Sequence, residues 1–260
     1  MKRRDCLASG LAWAGLARGQ ALHASPAAIG FDEGSLPTMY RAAASPAARG
    51  IYPALVGAAF AAMRRPCELR ALPFKRMLTE VDAGQLIAGA VIRTPEREQR
   101  WLFSQPYFLE RLAVYSTGAL YQGLDSLQGK RVGVIRGWSY GEAFDTARRQ
   151  GRFVCEDVAS DVHNFAKLLR ERIDYAVVTE LGGRMLQQLA AYEGRVMAGN
   201  AVLGATAIHL AVPRTQDGGA ALLAAFNAAV ELLHRDGLVE PLVAREIAAA
   251  AEVARTLPAG

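Results

Sequence analysis

The sequence predicts an α/β protein, and three observations carry that expectation. Strand-like and helix-like segments alternate along most of the 260 residues. Two of the strand-like segments, "QLIAGAVI" and "DYAVVT", are almost unbroken apolar runs, as strands covered on both faces require. The helix-like segments between them carry apolar stripes at three- and four-residue spacing, and several stop at a glycine.

Taken in order, "AAIGFD" (Ala27–Asp32) reads as a short strand that runs into turn-rich sequence. "GIYPALVGAAFAAM" reads as a helix with Pro53 in its first turn, where proline is tolerated, and an apolar face through Leu55, Val56, Phe60 and Met63. "CELRAL" is a strand, "FKRMLTEVDAG" a helix closed by Gly84, and "QLIAGAVI" the next strand, which completes two successive βαβ units. "LAVYST" (Leu112–Thr117) opens a second series: "KRVGVI" a strand, "SYGEAFDTARRQG" a helix, "RFVCEDV" a strand. "VHNFAKLLRERI" follows as a helix and "DYAVVT" as a buried strand. "AIHLAVP" is a late strand, and "ALLAAFNAAVELLHRDG" a helix with Leu222, Leu223, Phe226, Val230 and Leu233 on one face. The coarse expectation is two α/β units and a helical tail.

Composition excludes several classes. Apolar residues make up 52% and charged residues 21%, which describes a globular chain rather than a disordered one. Of the net +5, residues 1–24 carry +3 through Lys2, Arg3, Arg4 and Arg18 against Asp5. The +2 left to the remainder gives a nucleic-acid partner little support. The first segment reads as a secretory signal: a basic start, an apolar run from Cys6 to Ala17 too short to span a bilayer, then small residues at Gly19, Ala21 and Ala24. Arg3-Arg4 followed by Leu7 fits a twin-arginine signal, and a general secretory signal fits as well. Cys67 and Cys155 are expected as two buried, unpaired thiols. His163, His209 and His234 are isolated, and no cluster has metal-ligand spacing.

Four stretches, in this order, resemble one family. They are "IGFDEGSLP", "TPEREQRWLFSQPYF", "LQGKRVGVIRGWSYGEAF" and "NAAVELLHRDGLVEPLVARE". Over roughly Ile29–Ala244 the chain is similar to the bacterial extracellular solute-binding proteins of family 3, the type II periplasmic receptors of polar amino acid transport. The resemblance implies two α/β lobes, each a mainly parallel sheet flanked by helices, joined by two crossing strands near Leu112–Ser116 and Ala207–Val212. Residues 25–111 plus 207–260 would form the first lobe and residues 112–206 the second, with a ligand between them.

Within these stretches, Thr94 suits an N-cap and Pro95 the first helical position. A cation just inside that start opposes the helix dipole, an effect of about 0.3–1 kcal/mol. Arg97 matches the family arginine that binds the ligand's α-carboxylate, and its planar fork suits both oxygens. Arg93 and Arg100 read as surface charges. Ser139 is expected to begin a helix and to supply the second carboxylate contact from the other lobe. Trp138 and Tyr140 beside it are either walls for a ligand or ordinary packing. Asp32 matches a position that can meet the ligand's distal end, or it bonds its own turn. Three departures stand against these matches. Thr179 replaces the family's α-ammonium acceptor, with Glu180 next to it; Ile92 replaces a Ser or Thr; Ser35 replaces an aromatic residue. The carboxylate half of the site is retained and the ammonium half is open, so a carboxylate with few cationic groups fits as well as an amino acid does.

The resemblance therefore implies a non-catalytic, monomeric periplasmic protein without a cofactor. It would bind a carboxylate-bearing solute (an amino acid or a related compound) and deliver it to an inner-membrane transporter permease. The alternatives are a cyclohexadienyl dehydratase-like enzyme, with Glu180 as its acid, and a receptor that presents ligand to a sensor protein.

Overall fold

The computed structural model describes residues 26–41 and 45–256; the expected signal segment lies outside them. Strand β1 (Ala27–Asp32) is followed by three short strands, β2 (Gly34–Ser35), β3 (Met39–Arg41) and β4 (Ala48–Arg49), which form their own small antiparallel sheet. Helix α1 (Ile51–Ala62), β5 (Cys67–Leu72), α2 (Phe74–Asp82), β6 (Ile87–Ile92), α3 (Pro95–Arg100) and β7 (Trp101–Phe103) complete the first half. Strand β8 (Phe108–Ser116) leads into the second: β9 (Arg131–Ile135), α4 (Glu142–Arg149), β10 (Val154–Val158), α5 (Asp161–Leu169), β11 (Tyr175–Thr179) and α6 (Glu180–Gln187). The long strand β12 (Met197–Pro213) returns the chain to the first half, and α7 (Gly219–Arg235) and α8 (Val239–Arg255) close it.

The main sheet runs β10-β9-β11-β8-β12-β6-β1-β5, with β7 also paired to β12. Strand β1 pairs in parallel with β5 and β6, and β9 in parallel with β10 and β11. The two parallel halves meet at β8 and β12, which are antiparallel to each other and pair over most of their length. This α/β arrangement is the two-lobed one that the sequence predicts. The expected crossing segments fall inside these two central strands. Each half has its own apolar core. Phe31, Ile51, Phe60, Leu210 and Phe226 lie in one, and Val132, Val134, Phe144, Phe153 and Val177 in the other.

The halves also touch away from the crossing strands. Ser35 Oγ donates to the Asp161 carboxylate at 3.1 Å. Tyr40 and Leu36 from the small sheet's side pack with Met185 of α6 and Ala250 and Ala254 of α8. The terminal helix therefore contacts both halves, where the sequence predicts that it belongs to the first alone. Cys67 and Cys155 are free thiols in different halves, half-buried rather than buried because β5 and β10 are the two edge strands of the sheet. Burial raises the Cys155 thiol to about 11. No described helix is long and apolar enough to cross a membrane.

Candidate functional site

Strand β6 ends at Ile92, and the chain turns through Thr94 into α3. Thr94 caps this helix by accepting the Arg97 N–H at 3.3 Å, with Pro95 at the first helical position. The Arg97 side chain folds back toward the strand, and its Nη1 donates to the Ile92 carbonyl at 2.8 Å. Its guanidinium lies over the Phe74 and Trp101 rings at 5.5 and 5.9 Å. Arg97 is only 7% exposed, yet among the described residues no carboxylate oxygen comes within 4.0 Å of it. Burial pulls its pKa down, against the opposing charges of Glu96 and Asp145. Arg93 and Arg100, by contrast, are exposed and paired, with Glu98 and with Asp82 and Glu96.

The other half contributes the loop after β9. Ser139 does not begin a helix: α4 starts at Glu142, with Gly141 as its N-cap residue. Gly141 has φ 94°, a conformation that breaks the helical path ahead of Glu142. The Ser139 hydroxyl donates to the Asp145 carboxylate, and the Tyr140 N–H donates to the same carboxylate at 3.2 Å. Tyr140 is packing and not a wall. Its hydroxyl accepts the Ile135 N–H at 2.7 Å, and its ring sits 5.3 Å from Phe144 in the core of the second half. Trp138 is a wall. It crosses the gap, packs edge-on against Phe74 at 6.2 Å, and donates from Nε1 to the Asp32 carboxylate at 2.7 Å.

Asp32 is buried behind Trp138 and lines neither cavity described below. Its carboxylate also accepts the Glu33 N–H at 2.7 Å. Burial nevertheless raises its pKa to about 6. Thr179 is buried at the end of β11 and caps α6, its hydroxyl accepting the Gly182 N–H at 3.2 Å. Glu180 lines neither cavity; Arg111 at 2.8 Å and Arg184 at 2.5 Å hold it in ion pairs.

Among the described residues, two cavities lie between the halves beside Arg97. The inner one, about 30 Å³, is lined by Arg97, Glu110, Ser139, Thr179 and Thr206 among apolar neighbours that include Met39, Tyr52, Phe74 and Trp138. The outer cleft, about 820 Å³, is bounded by Thr94–Arg97 on one side and by Gly137–Ser139, Glu142 and Asp145 on the other. Ile92, Arg97, Trp138 and Ser139 line both, so they form the partition between them. The sequence reading overlooked Glu110, Thr206 and Tyr52. Glu110 is buried on β8, takes a hydrogen bond from the Tyr52 hydroxyl, and has its pKa raised to about 7 by burial. The signal was available: counting back by twos from the buried Leu112 puts Glu110 on the covered face of the strand.

Comparison with known proteins places this geometry in context. A family model described as bacterial extracellular solute-binding proteins, family 3, matches residues 28–247. No curated protein sequence matches. Among solved structures, an ancestral arginine-binding protein bound to arginine is similar, with a TM-score of 0.73 at 19% identity over 86% of this chain and 98% of that one. An amino acid ABC transporter substrate-binding protein from Streptococcus pneumoniae, bound to L-arginine, gives 0.72 at 17% identity, covering 87% and 96%. A histidine kinase sensor domain with similarity to periplasmic binding proteins gives 0.75 at 18% identity, covering 86% and 97%.

Proposed function

Since the chain belongs to the bacterial extracellular solute-binding proteins of family 3, we propose that it captures a small carboxylate-bearing solute between its two halves for an ABC-type transporter. One observation carries this reading: a buried guanidinium that has a single hydrogen bond and, among the described residues, no carboxylate oxygen within 4.0 Å, and that faces a cavity shared with the opposite half. Removing a cation from water without a partner is costly, and an incoming carboxylate supplies the partner. Arg97 is the clamp in this reading. Ser139 and the Trp138 indole close on the solute from the other side, and Thr179 lines the floor.

The lobes are residues 25–111 with 207–260, and residues 112–206. They move about β8 and β12 in a hinge closure that withdraws the carboxylate from water. Residues 1–24 direct export to the periplasm, where the protein works as a monomer beside an inner-membrane permease. The family and the binding-protein neighbours favour a binder over an enzyme. The ion pairs of Glu180 weigh against its use as the acid of a dehydratase. The sensor-domain neighbour supports a second reading, in which the same closure presents the solute to a signalling partner.

The test is a thermal-shift screen of small carboxylates on the exported chain, followed by calorimetry of each responder. A carboxylate that raises the melting temperature of the wild type and not that of an Arg97 variant supports the reading. Responders confined to cations or neutral sugars would sink it.

A further inference from the structure

The inner cavity holds a second charged group that the carboxylate reading leaves without a role. Glu110 on β8 stands directly opposite Thr206 on β12, and residues opposed in an antiparallel pair share one face of the sheet. Thr179 on β11 is opposite Leu112, two residues along β8 from Glu110, so it joins the same face. All four line the inner cavity with Arg97.

Glu110 lacks a counter-charge. Its one side-chain donor is the Tyr52 hydroxyl, and among the described residues no Lys, Arg or His nitrogen lies within 4.0 Å of it. The charges that act on it from further off, Asp161 and Glu180, are both carboxylates and push its proton affinity the same way as burial does. An ionised carboxylate has about four lone-pair positions to fill, so the Tyr52 hydroxyl and the Arg111 backbone N–H leave about half of them open. Thr206 supplies the second, independent observation. Its hydroxyl is buried and has no hydrogen-bond partner, although it can both donate and accept. Thr179, at the position where the family carries its ammonium acceptor, has its oxygen engaged in capping α6. The cavity thus holds a cation on α3 and an acid on a crossing strand, neither of them in an ion pair among the described residues.

We propose that Glu110, with the Thr206 hydroxyl beside it, is the acceptor for an amine, so that the solute is a small amino carboxylate bridging Arg97 and β8. This rests on the carboxylate-capture reading and adds its second pole. The acid has moved from the end of β11 to the hinge strand, which makes Glu110 the residue that discriminates an amino acid from its deaminated counterpart. At about 30 Å³ the inner cavity has room for one or two waters, so the solute is short or enters with Trp138 displaced.

Three pairs of probes test this by calorimetry on the exported chain: glycine with acetate, L-alanine with propionate, and 4-aminobutyrate with butyrate. In at least one pair the amine-bearing member should bind about 30-fold or more tightly than its partner. Glu110→Gln, which keeps an acceptor for Tyr52, should abolish that preference and leave the simple carboxylate within about twofold. Thr206→Val removes only the orphaned hydroxyl. It should weaken the amine-bearing probe by about 3- to 10-fold without lowering the melting temperature. Binding of the preferred probe at pH 7 should release protons in the wild type and none in Glu110→Gln, because an arriving cation ionises Glu110. Equal affinities within every pair, or a Glu110→Gln variant that weakens both members alike, overturn the proposal and leave carboxylate capture standing. If no probe binds, or if Arg97→Met weakens none of them, both fall.

Discussion

Replacing Arg97 by Met separates binding from folding, because the same burial that suits the guanidinium to a ligand burdens the empty protein. Three terms act on the empty fold. The hydrogen bond to the Ile92 carbonyl is lost, at about 1.5–3 kcal/mol for a charged donor. The contacts with Phe74 and Trp101 lose their cation–π part, about 0.5–2 kcal/mol, while Met retains their apolar part. Against these, a 7%-exposed cation without a counter-ion is no longer held out of water. Replacing buried ions by hydrophobic residues of similar volume is often neutral, or stabilising by about 1–4 kcal/mol. The terms nearly cancel, so the empty Arg97→Met protein should stay within about 1 kcal/mol of wild type. That corresponds to a melting temperature within about 4 °C. Binding should respond very differently. A desolvated carboxylate without its partner costs about 2–5 kcal/mol, which weakens affinity from about 30-fold to several thousand-fold. Differential scanning calorimetry gives the first quantity and titration calorimetry with any carboxylate responder gives the second. A loss of about 3 kcal/mol or more from the empty protein would mark Arg97 as a structural residue, and an unchanged ligand response would refute the clamp.

Stability should rise as pH falls from 8 to 6. The folded state holds the protons of Asp161 and Glu110 up to about pH 7 and that of Asp32 up to about 6, each well above its unfolded value. Their protonated form therefore favours the fold, and this contribution is lost as pH rises through 6 and 7. One such group titrating across a full unit is worth about 1.4 kcal/mol, so a gain of a few degrees in melting temperature is expected, reduced in Asp161→Asn; a flat profile would contradict the burial of these acids. Trp138→Phe keeps a ring against Phe74 but deprives Asp32 of its cross-gap donor, at about 1–3 kcal/mol. Small-angle scattering should then report a larger radius of gyration than wild type, and an identical radius would show that the bond does not hold the halves together. Amino-terminal sequencing of exported material should find a start between about residues 22 and 26, whereas a retained Met1 would remove the export reading.

The elements legible in the sequence were those whose signals are local. β1 and β5 begin and end where their sequences predict, and α1 lies within its predicted span, because apolar runs and Pro53 mark them without help from distant residues. The cap at Thr94 was legible for the same reason. Helix α6 was missed because "ELGGRMLQ" carries two glycines in its middle. The structure explains them, since a side chain at Gly183 would meet the Tyr115 ring at 2.1 Å and one at Gly182 the Leu36 carbonyl at 2.5 Å. The strands of the small sheet are two or three residues long, too short for any periodicity to register. Of the two partners of Glu180, Arg184 is four residues on along α6 and locally legible, whereas Arg111 comes from β8, 69 positions earlier, and nothing local foretells it. Tyr140 misled because the direction of a loop side chain is set by the strand it folds back upon, here through the Ile135 N–H. Glu110 was the opposite case. Its inward direction is written in the two-residue alternation of β8, at a position outside the stretches that carry the family resemblance.

The Trp138 bridge also gives the molecule an optical property. Trp101 and Trp138 are the only tryptophans among the described residues. Trp101 is fixed inside the first half, its indole N–H on Asp82 at 2.8 Å. Trp138 has its indole against a carboxyl group of the opposite half. If the halves separate as proposed, the Trp101 indole stays on Asp82 of its own half while the Trp138 indole leaves Asp32 for water. The emission spectrum therefore divides into a constant component and a component that shifts to the red on opening. A Trp101→Phe protein would isolate the second and report closure in real time, with no dye attached and no knowledge of the solute.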